Sequence, residues 1–323
     1  NNEIIFLNDR DSNKGSKKYI KECLNYVADG DYDFSFFYYA GHGSYIRDRD
    51  GDEGNLISKV ITQKNSLNKD SYLCTSESNG SIGVFKDDEI NTILSKIKAK
   101  NTLLGFIDCC HSGTMFDCNY IYFPNKINNK KCKSNKINYL INNYQKEFNL
   151  INSKYDNFNR TQGNIILLSA ARDNQYSYES KLQGKNQGNF TYNACRLLNR
   201  CKHQKISIET FIILVSGMIN DEKQLPVCTS SKFFDLKNSY IFNNQSGLFD
   251  LKQGILSIED NLSSNFELPS EEISIPVIKK KNNVNPLFNF FSSLFGNKNR
   301  SLNNIPNVSY LLIVASIYKL SKK

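Results

Sequence analysis

The sequence predicts an α/β fold, with a mostly parallel central sheet between two helical layers. Three short apolar runs, Phe34 to Tyr39, Leu103 to Ile107 and Ile165 to Leu168, each stop at small or polar residues, as buried strands do. Helix-spaced segments alternate with them, and strands alternating with helices build a sheet covered on both faces. A third observation locates the function. The first two runs end in Ala40-Gly41-His42-Gly43 and Asp108-Cys109-Cys110-His111-Ser112-Gly113, and open α/β sheets carry their sites at the carboxyl ends of their strands.

Taken in order, Ile4 to Leu7 reads as a short strand. Ser16 to Ala28 follows with helical spacing at Tyr19, Ile20, Cys23, Leu24 and Val27, and Gly30 ends it. After the strand at Phe34 to Tyr39, Asp48 to Gly54 is an acidic turn and Leu56 to Asp70 an inserted loop. Asp87-Asp88 opens a helix with apolar positions Ile90, Ile93, Leu94 and Ile97. Residues 118–161 form a basic, Asn/Lys-rich, partly helical connection. Phe190 to Leu198 and Ile206 to Ile219 are helical, and Tyr240 to Phe242 is a last strand. The domain is expected over 1–242. Residues 243–323 read as a low-complexity linker and tail, with the apolar run Val308 to Tyr318 as a tail helix.

Composition narrows the partners. The net charge of +9 sits largely in Lys/Asn runs without interleaved aromatics, which argues against nucleic acid. No run reaches the ~18 apolar residues of a membrane span. Nine Cys at irregular spacing, with no CxxC and no leader at the start, fit a reducing, cytoplasmic setting better than a disulfide scaffold.

The chemistry rests on Cys110 and His42. A thiol becomes a nucleophile near neutral pH when an imidazole stands beside it. His111, next to Cys110 in an extended segment, points to the other face and is set aside as the base. Gly41 and Gly43 let backbone approach a substrate. A core thiol beside a loop histidine is the plainer alternative. Cys109, Cys110, His111 and Cys118 match no structural zinc spacing. The turn at Asp48 fails as an EF-hand, with no Gly at its sixth position and Lys59 at its twelfth.

Together, Phe36-Phe37-Tyr38-Tyr39-Ala40-Gly41-His42-Gly43, Asp50-Gly51-Asp52-Glu53, Asp87-Asp88-Glu89-Ile90 and Asp108 to Thr114 resemble, in order, the motifs of metacaspases. The likeness is greatest to type I metacaspases of the caspase-like clan CD, peptidase family C14. Ser169 to Gln175, Gly188 to Thr191 and Gln224 to Pro226 resemble later segments, and the likeness runs to about Phe242. It implies a caspase-like three-layer sandwich and a cysteine endopeptidase. Cys110 would be the nucleophile, His42 the base, and the N–H groups of Gly43 and Cys110 the oxyanion hole. It also implies cleavage after Arg or Lys, with Asp108 holding that side chain beside Ala40, where the family has Ser. Calcium is implied as activator, on Glu77, Asp87, Asp88 and Asp117, with Asp87-Asp88 alternatively a helix cap.

The chain begins at what resembles the family's second strand, so the first strand is expected to be missing. From this follows an alternative, a catalytically impaired homologue that acts as a binding or regulatory partner. The main expectation is a monomer acting on proteins or peptides with Arg or Lys at the cleaved bond. It is also expected to process itself in the 119–160 connection, where Lys130, Lys131 and Lys133 are candidates.

Overall fold

The computed structural model describes residues 2–8, 15–47, 69–126, 144–149, 161–200, 206–242 and 310–316. The acidic turn at Asp48, most of the following insert, Lys130, Lys131, Lys133, His203 and the 243–309 segment lie outside them.

Among the described residues, eight strands form the central sheet. They are β1 (Asn2–Asn8), β2 (Phe34–Ala40), β6 (Thr102–Asp108), β7 (Tyr120–Lys126), β8 (Tyr144–Asn149), β9 (Asn164–Ser169), β13 (Val227–Ser230) and β15 (Tyr310–Ser316). Their order is β1-β15-β2-β6-β9-β13-β7-β8. The five strands from β1 to β9 run parallel, and β13, β7 and β8 alternate antiparallel. A mostly parallel α/β sheet is therefore what folds. The hairpin β4 (Lys69–Ser76) and β5 (Ile82–Lys86) pairs with β3 (Gly43–Arg47) in a separate antiparallel sheet. Two smaller pairs are β10 (Glu179–Leu182) with β11 (Lys185–Gly188), and β12 (Ile206–Ser207) with β14 (Tyr240–Phe242).

The residues explain the layers. Successive side chains of a strand face opposite ways. Phe34, Phe36, Tyr38, Leu104, Phe106, Ile166 and Leu168 enter one apolar cluster. Phe37, Tyr39, Leu103, Ile107, Ile165 and Leu167 enter the other. Strands buried on both faces read as unbroken apolar runs, which is why these three were visible in the sequence. Helices α1 (Lys17–Asp29) and α2 (Asp87–Leu94) cover the second face through Ile20, Leu24, Val27, Ile90 and Leu94. Helices α3 (Asn189–Arg200) and α4 (Ile208–Ile219) cover the first through Ala194, Leu198, Phe211 and Val215. Ser207 caps α4 by accepting from the Thr210 N–H, and Asn220 closes it in the left-handed conformation.

One expectation changes. The run at Val308 to Tyr318, expected as a tail helix, contributes a strand over Tyr310–Ser316 inside the sheet. β15 lies between β1 and β2, so these three strands form one continuous part of the sheet. The described parts of the 118–161 connection, expected to be partly helical, hold β7 and β8, and the rest of it lies outside the described residues. No helix among the described residues is long and apolar enough to cross a membrane.

Candidate active site

Two neighbouring strand ends bring the candidate dyad residues to one place. β2 and β6 pair in register, with Ala40 opposite Asp108. The Gly41 N–H donates to the Asp108 carbonyl at 3.2 Å. His42 leaves one strand and Cys109-Cys110 the other. A Cβ on Gly43 would stand 2.2 Å from the Cys110 carbonyl oxygen and 2.6 Å from the Cys109 sulfur. Glycine is required there by the close approach of two backbones. His42 is exposed and Cys110 half-buried.

The turn carrying His42 is held from beneath. Tyr39 is fully buried, and its single hydroxyl proton is shared between the carbonyls of His42, 2.8 Å away, and Cys74, 2.7 Å away. The Cys74 N–H donates to the same His42 carbonyl at 2.9 Å. Burial pushes the Tyr39 phenol well above its ordinary range, so it remains a donor. Tyr39→Phe is expected to lower stability by about 1 kcal/mol, because the buried hydroxyl bond is lost while the His42 carbonyl keeps the Cys74 N–H. It should also lower kcat with KM nearly unchanged. Urea midpoints and steady-state kinetics read the two effects separately.

The Cys110 thiol is directed at the Ser177 carbonyl, 3.7 Å from Sγ. Burial raises its pKa above the ordinary 9.0; the Ser177 contact works against this and the Asp108 charge adds to it. A raised pKa favours the neutral thiol near neutral pH. The iodoacetamide labelling rate of Cys110 is therefore expected to climb about tenfold per pH unit, with no plateau below pH 9. A plateau near pH 7, read by peptide mass spectrometry, would show a preformed thiolate instead.

Asp108 lies beneath the two turns, buried. Its Oδ1 accepts from the Ser177 hydroxyl at 2.6 Å. Its Oδ2 accepts from the Thr191 N–H at 2.9 Å and the Thr191 hydroxyl at 2.5 Å. Burial raises its pKa while Ser177 and Thr191 pull it back. Gly188 closes over Oδ2, where a Cβ would stand at 2.3 Å. A carboxylate offers about four acceptor positions, so the remaining capacity is chiefly on Oδ1. Gln224 orders this corner, donating to the Ser177 hydroxyl at 3.1 Å and accepting from the Tyr178 N–H at 3.1 Å.

His111 does other work. It is buried in the left-handed conformation, φ 54°. Its Nδ1 bonds the Asp173 carbonyl, and its ring meets Tyr45 and Tyr176 edge-on. Its side chain is thus committed to the 173–176 loop. The reason differs from the one the sequence offers, since the backbone here is not extended. Asp173 fixes the same turn, accepting from the Thr114 N–H at 2.8 Å and the Thr114 hydroxyl at 3.1 Å.

Of the four acids named for a cation, three converge. Asp87, Asp88 and Asp117 each offer an oxygen within 4.8 Å of the others. Asn91 of α2 donates to the carbonyls of Phe116 and Asp117, at 3.1 and 3.3 Å, which ties the two segments together. Burial, then the charge of Asp88, pushes the Asp87 carboxyl well above the usual range. Glu77 does not join this group. It accepts from the Lys17 N–H at 3.0 Å and the Thr75 hydroxyl at 2.6 Å. It thereby caps α1, whose own N-cap Ser16 makes no side-chain bond.

Sequence reasoning gave no role to Ser177, Thr191, Gly188 or Tyr39. Thr191 and Gly188 stand in a segment noted for its motif likeness, and Tyr39 in the strand leading to His42. Nothing in their spacing joins them to Asp108 or His42.

The caspase domain family, peptidase C14, matches residues 8–237, well over half of the chain. A "Metacaspase-1" of Candida glabrata is 23% identical over 65% of this chain and 56% of its own length. A "Metacaspase-1" of Eremothecium gossypii is 26% identical over 65% and 49%. A "Metacaspase-2" of Trypanosoma brucei brucei is 25% identical over 64% and 54%. The chain spans about half the length of these curated relatives. With the sheet order and the paired strand ends, the match over 8–237 makes this chain a member of the caspase-domain family, peptidase C14.

Proposed function

We propose that the chain is a cysteine endopeptidase of the metacaspase type, cleaving after Arg or Lys. The observation that carries the reading is the register of β2 on β6, Ala40 opposite Asp108, with the Gly43 backbone close against Cys109 and Cys110. The neutral Cys110 thiol would give its proton to His42 as sulfur attacks the scissile carbonyl. The N–H groups of Gly43 and Cys110 would receive the oxyanion. As the tetrahedral intermediate collapses, His42 would return the proton to the leaving amine, which departs and leaves a thioester. His42 would then take a proton from water as it attacks, and hydrolysis would release the acid and the thiol.

Asp108 would pair with the substrate cation through Oδ1, beside Ala40. A carboxylate below the cleft suits guanidinium or ammonium. We also propose calcium as activator, on Asp87, Asp88 and Asp117. The donor set fits a hard cation, since three carboxylates held this close repel one another without one. A bound calcium would neutralise that repulsion and secure the 111–117 turn behind Cys110. The seven described cysteines are free thiols, which supports a reducing, cytoplasmic setting.

The test is an Arg-containing fluorogenic peptide, with and without calcium, on the chain and on Cys110→Ala. Calcium-stimulated turnover that is lost in Cys110→Ala is expected. No turnover from a folded sample, with Cys110 unlabelled by an alkylating Arg peptide, would leave the regulatory-homologue reading. Mass spectrometry of the same incubation reads self-cleavage after Lys130, Lys131 or Lys133.

A further inference from the structure

We infer that residues 310–316 are a docked strand, supplied in cis from far along the chain, on which the β1 side of the sheet and the strand leading to His42 depend. β1 and β2 are not paired with each other; β15 lies between them. It pairs with β1 from Asn2↔Tyr310 to Asn8↔Ser316, and with β2 from Phe34↔Tyr310 to Ala40↔Ser316. Both ladders run seven residues without a shift in register.

The segment has the chemistry of an interior strand. Tyr310-Leu311-Leu312-Ile313-Val314-Ala315-Ser316 carries no charge, no Pro and no Gly. Interior parallel strands read as such unbroken apolar runs. Edge strands instead carry charges or Pro, which block pairing with other chains. Residues 243–309 join it to β14, and loop-closure cost grows only slowly with loop length. A strand supplied across so long a connection is therefore tolerated.

What β15 supports follows from the register. β1 pairs with no strand other than β15 among the described residues. On the other side, β15 runs beside β2 up to Ala40, two residues before His42. With the strand withdrawn, β1 would lose its ladder, and β2 would present an unpaired edge immediately before the His42 turn. The occupant is the chain's own segment; exchange of the same strand between two copies is the competing arrangement.

Hydrogen exchange on the full chain tests this without reference to activity. Proline removes a ladder donor and is confined to sheet edges, so Ile313→Pro targets β15 alone. Amides of β1 and β2 are expected to exchange at least tenfold faster in Ile313→Pro, with β9 and β13 unchanged. Unchanged protection in β1 and β2 would overturn the inference, and so would uniform loss across the sheet. A second variant, Ile5→Cys with Ile313→Cys, places thiols at register partners. Mild oxidation followed by peptide mapping should find the 5–313 link in a chain of monomer mass. A linked dimer would overturn the in-cis assignment, and no link would overturn the docking itself.

Discussion

Gly43→Ala is expected to damage both the fold and the candidate site severely. The added carbon would meet the Cys110 carbonyl oxygen at 2.2 Å and the Cys109 sulfur at 2.6 Å. Neither neighbour yields easily. One is backbone, and the other belongs to a side chain only 1% exposed. Overpacking of this kind costs typically 1–3 kcal/mol and occasionally more, and with a backbone neighbour roughly 3 kcal/mol is expected here. The His42 and Cys110 turns would also move apart. A displacement of about 1 Å between reacting groups can cost on the order of 10²-fold in rate. A urea melt and peptide turnover on the folded fraction measure the two losses. Wild-type turnover with wild-type stability would show that the two turns do not touch in solution.

Asp108→Asn is expected to remove Arg and Lys cleavage while sparing the thiol. The side chain keeps its size but loses its charge, and its amide NH₂ must face either Ser177 or the Thr191 donors. Breaking one partner of a buried charge pair costs about 2–5 kcal/mol. That corresponds to a fall in kcat/KM for an Arg peptide of roughly 30- to 4,000-fold. Iodoacetamide labelling of Cys110 should change little, because iodoacetamide carries no cation to be held. If kcat/KM for the Arg peptide and Cys110 labelling fell together, Asp108 would support the fold rather than read the substrate. Gly188 gives a matching outcome, since a Cβ there meets Asp108 Oδ2 at 2.3 Å.

The doubly buried strands were legible in the sequence because both of their faces need apolar residues. Phe34 to Tyr39, Leu103 to Ile107 and Ile165 to Leu168 could hardly be anything else. β4, with Lys69, Asp70 and Ser71 at its start, and β13, only four residues long, carry no such run and were overlooked. The apolar segment near the C-terminus was read by length as a helix, because periodicity cannot separate a short buried strand from a helix. Near the candidate site, Ala40 and Asp108 end β2 and β6 as the runs in the sequence predict, and the neighbouring of the two strands puts the segments that carry His42 and Cys110 side by side. Glu77 was misplaced because an acid near a turn looks the same in sequence whether it meets a cation or caps a distant helix. Only the fold brings Lys17 to it, sixty positions away in the sequence.

By itself the sequence determined the layers, the two strand ends and the residue types at the rim. These follow from local alternation and from turn chemistry, which act over a few residues. The tertiary structure decided which strands are neighbours. That choice set the Tyr39 hydroxyl against the Cys74 carbonyl, closed Ser177 and Thr191 around Asp108, and slid Tyr310–Ser316 between β1 and β2. Such pairings join residues tens to hundreds of positions apart. They are selected by burial and by the need to satisfy every buried hydrogen-bonding group at once, a condition that no local stretch of sequence expresses.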